Sequence, residues 1–298
     1  MSHAGSDTQV GAPAERRDPR STAGALPNLI VIGAQKCGTS ALHNYLGRHP
    51  EISMSHPKEL NFFVAEEGVQ AVAAAVKNWS LGVDWYRAQF DPEATVRGES
   101  SPNYTADPAL PGVPGRMAEL IPDAKLILMV RDPIARARAQ WIHNYSNRVQ
   151  HKPLDRAVLE DEEYVARSSY HYQLGLFCEH YPMERILVLE QDELLHDREE
   201  TLKGVFNFLG VHDDFWHKAY SRKRHETQKR RRKTWLGVKL WRRLPHRLRN
   251  SRHRWPLSTE FEHTELDDST RAELADRLRD DANRLRELTG KPFASWSV

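Results

Sequence analysis

The chain has 298 residues, 39% hydrophobic and 28% charged, with a net charge of +2. This is enough apolar material for one large core, and too little net charge for the whole molecule to read as a nucleic-acid binder. The two cysteines form no C-x-x-C pair, so a zinc or redox motif has no support, and free thiols in a reducing compartment are the simplest expectation.

Residues 1–26 are polar and rich in small side chains. They read as a mobile tail without signal peptide or membrane anchor, leaving 27–298 as one domain. No stretch approaches the ~18 consecutive apolar residues of a spanning helix. Leu29 to Ile32, "LIVI", is a continuous apolar run rich in β-branched residues that predicts a buried parallel strand ending at Gly33. Leu42, Tyr45 and Leu46 then recur at helical spacing, and Thr39 or Ser40 is the expected cap of that helix. "TVRGESSPNY" (95–104) predicts a short strand running into a polar loop. "AKLILMV" (124–130) predicts the clearest strand of the chain. Asp132 and Pro133 start a helix with Ile134, Ala137, Trp141 and Tyr145 on one face. "RILVLE" (185–190) predicts another strand, and residues 198–210 an amphipathic helix through Leu202, Val205, Phe206 and Leu209, stopped by glycine. Residues 222–255 form a basic segment in which Trp235, Trp241 and Leu244 interrupt the charges. A terminal helix follows, with Thr270 and Glu273 as a capping box, Leu274, Leu278, Leu285 and Leu288 as its buried stripe, and Gly290 as its stop.

Strands alternating with helices predict an α/β fold: a single domain with a central parallel sheet flanked by helices and a P-loop-like turn after the first strand. Ligands of such sheets bind at the carboxyl ends of the strands. Gly33, Glu99 and Arg131 all fall at predicted strand ends and can converge on one site.

The turn after the first strand, "VIGAQKCGTSAL", carries the first chemical signal. Gly33 and Gly38 keep the glycine spacing of a Walker A loop, but Thr39 stands where its lysine belongs, and the only lysine is Lys36. A glycine-containing loop ahead of a helix binds phosphate or sulfate through backbone N–H groups. Thr39 and Ser40 add hydroxyls. Lys36 adds a charge whose interaction with an anion at ~4 Å is about 4 kcal/mol at an effective dielectric near 20. A plain strand-to-helix turn with an exposed lysine fits the loop equally well. No Walker B pattern supports an NTPase, since Asp132 begins a helix, and there is no G-x-G-x-x-G for a dinucleotide.

"PNLIVIGAQKCGTSALHNYLGRHPEI" resembles the 5′-phosphosulfate loop of the sulfotransferases that use 3′-phosphoadenosine 5′-phosphosulfate (PAPS), most of all the heparan-sulfate type and its bacterial relatives. The likeness continues in order. "HPKELNFF" is similar to the segment carrying the catalytic glutamate, which falls on Glu59. "RGESSPNY" is similar to an E-K-T-P-x-Y segment, placing Glu99, Ser101, Pro102 and Tyr104. "RDPIARARAQW" resembles the 3′-phosphate motif R-D/N-P-x-x-R-x-x-S through Arg131, Asp132, Pro133 and Arg136. "HETQKRRR" is similar to the late loop that closes over the nucleotide with Lys229 and Arg230, and Gly290 to Trp296 fits the ending of bacterial members.

The resemblance implies the sulfotransferase fold and PAPS as donor, with adenosine 3′,5′-bisphosphate as product and no metal. It implies in-line sulfuryl transfer to a hydroxyl, or as second choice an amine, of a carbohydrate, glycolipid or small natural product. Glu59 would be the general base, with His56 as rival, and Lys36 would steady the leaving oxygen. Lys36, Cys37, Gly38, Thr39 and Ser40 would hold the 5′ group, and Arg131, Lys229 and Arg230 the phosphates. Two departures stand out. The motif's serine is Ala139, leaving Arg138 as the candidate replacement, and the lysine of E-K-T-P is Ser100. Arg136 is read as serving the phosphate or only the fold, and Glu99 as orienting Lys36 or the loop. The competing readings are a kinase or NTPase with a variant loop, and an inactive basic protein that binds membrane or nucleic acid. The rest of the basic segment is expected to be a solvated face, with peripheral contact to anionic membrane as the lesser reading. A cytoplasmic bacterial enzyme without a nucleic-acid partner is expected.

Overall fold

A computed structural model describes residues 24–65, 78–221, 231–235, 258–261 and 264–298. Most of the expected N-terminal tail and most of the basic segment lie outside these residues.

Five parallel strands make one sheet in the order β2-β3-β1-β4-β5: β1 (Leu29–Gly33), β2 (Ile52–Met54), β3 (Val96–Ser100), β4 (Lys125–Val130) and β5 (Ile186–Glu190). Every residue of β1 is buried, as are all of β4 beyond Lys125, because helices cover both faces of a parallel sheet. Helix α1 (Thr39–Leu46) follows β1 and buries Leu42, Tyr45 and Leu46. Strand β2 was not predicted: at three residues it is too short to show a period.

Among the described residues, the remaining α-helices in chain order are α2 (Gly82–Arg87), α3 (Val113–Leu120), α4 (Pro133–Ser146), α5 (Leu154–Glu160), α6 (Glu163–Ala166), α7 (Tyr170–Cys178), α8 (Gln191–His196), α9 (Arg198–Leu209) and α10 (Asp268–Thr289). In α4, Ile134, Ala137 and Trp141 are buried as predicted, and Tyr145 stacks on Trp141 with ring centroids 4.7 Å apart. In α9, Leu202, Val205, Phe206 and Leu209 are buried, and Gly210 ends the helix in a left-handed conformation. Neither cysteine is in a disulfide. No described helix is long and apolar enough to cross a membrane.

Helix α10 ties two parts of the interior together. Leu274 and Leu278 pack with Ile134, Trp141, Leu154 and Tyr164 of α4, α5 and α6. Ala282 and Leu285, nearer its end, join the main core under the sheet. Two expectations about this helix are corrected. The cap is Asp267, whose Oδ1 accepts the Thr270 amide at 2.6 Å, so Thr270 sits inside the first turn rather than at the cap. The buried stripe runs through Ala282, while Leu288 in the last turn is 40% exposed. Alanine was invisible to a stripe read from leucines alone.

This pair gives a stability contrast. Leu285→Ala is expected to cost ~2–5 kcal/mol. Leu288→Ala is expected to stay within ~0.5 kcal/mol of wild type. Urea unfolding of both variants measures the difference.

Candidate active site

The site begins where β1 ends. The Ala34 amide donates to the Met129 carbonyl at 2.7 Å and pins the loop to β4. Lys36 and Gly38 both take left-handed backbone conformations, with φ of 74° and 96°. Between them Cys37 turns inward. Its amide donates to the Ala34 carbonyl at 3.2 Å, its thiol lies 3.3 Å from the Tyr170 hydroxyl, and burial pushes the thiol pKa up. Cys37 is therefore an anchor of the loop, with neither thiol nor amide turned to a ligand.

Gly38, not Thr39 or Ser40, occupies the cap position of α1, and no side chain caps the helix. A left-handed turn at this point admits glycine where a β-carbon is strained. The uncapped first turn leaves amide donors for an anion, beside the hydroxyls of Thr39 and Ser40.

Arg131, at the end of β4, is brought to this loop and donates to the Lys36 carbonyl at 3.4 Å. Its neighbour Asp132 is committed elsewhere. Asp132 Oδ1 accepts the Ala135 amide at 2.6 Å as the cap of α4. Its Oδ2 accepts the Ser297 amide and hydroxyl at 2.6 and 2.7 Å. The residues after α10 thus form a strap over the ends of β4 and β5, where the Trp296 indole also donates to Glu190 at 2.8 Å.

Arg138 Nε donates to the Thr264 carbonyl at 3.0 Å, and its guanidinium pairs with Glu265 at 2.7 Å. Its described partners therefore belong to the approach to α10, and Ala139 is buried. Arg136 is wholly interior: Nε donates to Ser168 Oγ at 2.6 Å and Nη2 to the Tyr164 carbonyl at 2.9 Å, while Nη1 has no partner among the described residues. Burial also lowers the buried Arg167 to about 10, with Arg136 adding to the shift.

On the other side of the loop, Glu59 stands exposed on a segment laced to the end of β3. The Ser100 amide donates to the Lys58 carbonyl at 3.2 Å, and the Asn61 amide to Ser101 Oγ at 2.9 Å. Glu99 is the node of this lacing. It is fully buried and accepts from Leu60 N (3.3 Å), Tyr86 (2.7 Å), Tyr104 (2.8 Å) and Ser101 (2.5 Å). The sequence suggested that Glu99 orients Lys36 or the loop; these bonds instead orient the segment that carries Glu59. Lys58, not singled out in the sequence, reaches Thr39 Oγ1 at 3.2 Å and Glu59 Oε1 at 3.0 Å. Nearby, burial and then the charge of Lys58 hold His43 down to about 4, so this imidazole is neutral, paired with Ser100 Oγ at 2.9 Å. His56 is exposed at the edge of the same segment.

Lys229 and Arg230 lie outside the described residues, as do Trp241 and Leu244. Of the basic segment, Arg232 and Lys233 form a two-stranded pairing with Ser258 and Thr259, and the Arg232 guanidinium lies 3.9 Å from the Tyr145 ring centroid. Among the described residues no cluster of histidine, cysteine or acidic side chains is arranged to hold a metal.

Glu99 makes a pH prediction. Burial raises its pKa from the ordinary 4.5, against the pull of Ser101, Tyr86, Tyr104 and Leu60. The folded state therefore holds the proton more tightly than the unfolded state, and stability falls as pH climbs from the unfolded pKa through the folded one. Glu99→Gln removes this titration. Denaturation midpoints measured from pH 4 upward are expected to fall more for wild type than for the variant. An identical pH dependence in both proteins would contradict the assignment.

A family model described as the sulfotransferase family matches residues 27–216. The bifunctional heparan sulfate N-deacetylase/N-sulfotransferase 1 of Caenorhabditis briggsae is 26% identical over 210 residues, which is 63% of this chain and 23% of that protein. Heparan sulfate glucosamine 3-O-sulfotransferase 3A1 of Mus musculus is 26% identical over 197 residues, 62% of this chain and 46% of that one. The chain thus spans less than half the length of these curated relatives. Among solved structures, a sulfotransferase from Alicyclobacillus acidocaldarius has a TM-score of 0.68 at 23% identity, covering 92% of this chain and 100% of its own, a likeness of fold. With the family match reaching from the strand before the loop to beyond α9, the chain belongs to the sulfotransferase family.

Proposed function

We propose that this enzyme transfers a sulfuryl group from PAPS to a hydroxyl of a carbohydrate, glycolipid or small natural product, with an amine as the lesser alternative. The observation that carries the reading is the placement of an exposed carboxylate, Glu59, across a single lysine from the hydroxyl of Thr39 in an uncapped, left-handed anion loop. Such a site needs an anion on the loop side and a proton to remove on the other.

The residues suit a doubly phosphorylated nucleotide. Lys36, Gly38, Thr39 and Ser40 would hold the 5′-phosphosulfate through amides, hydroxyls and one cation. Arg131, whose neighbouring carboxylate is committed to the strap and to α4, would take the 3′-phosphate. Lys229 and Arg230 are expected to complete that contact. In the reaction the bond from sulfur to the bridging phosphate oxygen breaks, and its electron pair stays on the phosphate. A bond from sulfur to the acceptor oxygen forms, and the acceptor proton passes to Glu59. Lys36 offsets the charge gathering on the leaving oxygen. Positioning and electrostatics suffice for such a displacement, as in phosphoryl transfer.

Calorimetry with adenosine 3′,5′-bisphosphate and with ATP tests the donor: tight bisphosphate binding and weak ATP binding are expected. ATP binding without bisphosphate binding would sink the reading. Glu59→Gln is expected to lower transfer of labelled sulfate from PAPS to a panel of glycosides and phenols by ~100-fold or more while bisphosphate binding survives. Full turnover in this variant would move the base to His56.

A further inference from the structure

We propose that Lys58 is a catalytic residue that contacts the sulfuryl group in transit between the loop and Glu59. The inference rests on the sulfuryl-transfer reading above. Its ground is one ammonium placed between the two ends of that reaction. Lys58 Nζ is 3.2 Å from Thr39 Oγ1, in the cradle for the leaving phosphate, and 3.0 Å from Glu59 Oε1, on the side where the acceptor loses its proton. A group bonded at once to the cradle and to the base lies beside the path between them.

An ion pair between adjacent surface residues is ordinarily a weak and mobile contact. Three features separate Lys58 from that case. Its side chain is only 18% exposed, against 46% for Glu59. Its second partner, Thr39, is buried and lies 19 residues away in the loop. Its backbone is fixed: the Lys58 carbonyl accepts the Ser100 amide at 3.2 Å and the Ser55 hydroxyl at 3.3 Å. The stem therefore leaves from a held point at the end of β3, and no rearrangement is needed to aim it.

The chemistry fits an ammonium. It carries three donors and no acceptor, so Thr39, Glu59 and one oxygen of the transferring group can be served together. The roles then divide between two lysines. Lys36 answers the charge on the oxygen that leaves. Lys58 holds the three-oxygen sulfuryl in line while the bond to phosphate breaks and the bond to the acceptor oxygen forms. Neither lysine gives up a proton, because Glu59 takes the one released.

Since the sulfuryl is the one part of the nucleotide that Lys58 would meet, this lysine should separate PAPS from the product that lacks that group. Calorimetry on the full chain, with Lys58→Met preserving most of the apolar stem, is expected to show PAPS affinity lowered by ~10-fold or more, as for loss of a hydrogen bond to a charged group. Affinity for adenosine 3′,5′-bisphosphate is expected to change by less than about 3-fold, which also reports a folded loop. Lys58→Arg is expected to recover most of the PAPS affinity. Equal losses for both nucleotides, or no loss for either, would overturn the proposal, because support of Thr39 alone affects both alike. Wild-type protein that binds neither nucleotide would instead refute the underlying reading of the donor.

Discussion

The active site hangs on one buried carboxylate. Removing Glu99 from water costs several kcal/mol, and an ion in that position persists only when its lone pairs are filled. Four donors fill them: the hydroxyls of Tyr86, Tyr104 and Ser101 and the amide of Leu60. Hydrogen bonds to a charged acceptor contribute about 1.5–3 kcal/mol each, so four of them are of the size needed to offset the burial. The donors come from α2, from the turn after β3 and from the segment bearing Glu59. The carboxylate therefore fixes these three pieces against one another. Phe62 stacks on Tyr86 with centroids 4.1 Å apart, so the apolar side of the same segment is held by the ring whose hydroxyl serves Glu99. A base on this segment inherits the rigidity of the node.

The loop side is built on cations kept from neutralising partners. Arg136 is buried against neutral partners, Ser168 and the Tyr164 carbonyl, and buried Arg167 meets Glu163 only at 3.9 Å. Arg131 has an aspartate beside it in sequence, the ordinary recipe for a local ion pair. That pairing is pre-empted, because Asp132 spends one oxygen on the start of α4 and the other on Ser297. The strap after α10 thus helps to hold Asp132 away from an ion pair with Arg131. Fixed positive charge of this kind favours an anionic ligand at low reorganisation cost.

Much of the frame was legible in the sequence. β1, β4 and β5 are continuous apolar runs, and α9 shows a clean stripe with a terminal glycine. The failures have physical causes. The start of α1 was assigned to Thr39 or Ser40 from their capping preference, whereas the left-handed turn put Gly38 there. β2 is too short for periodicity to register. Arg138 looked like a substitute for the serine missing at Ala139, but its partners, Thr264 and Glu265, sit more than a hundred residues away and leave no local pattern. Lys58 next to Glu59 looks in sequence like any solvated charge pair. Only the fold brings it to Thr39. Glu99 could be matched to a motif, yet its function as the anchor of Leu60 depends on Tyr86, which no motif included.

Two glutamates at the ends of neighbouring pieces of chain have been given opposite environments. Glu99 is enclosed, with both oxygens hydrogen-bonded and no access for an acceptor. Glu59 is open to solvent, with Lys58 on Oε1. The enclosed carboxylate supplies position, and under the proposed reaction the open one would act as the base. Under the proposed reaction, this also favours one direction of arrival for an acceptor. Behind Glu59 lie Lys58, buried Thr39 and the loop, and beneath it Leu60, Phe62 and Phe63 are buried. The open quarter is the solvent side of Glu59, near exposed His56. Under the proposed reaction, an acceptor entering there would come beside Glu59 before it reaches the sulfuryl.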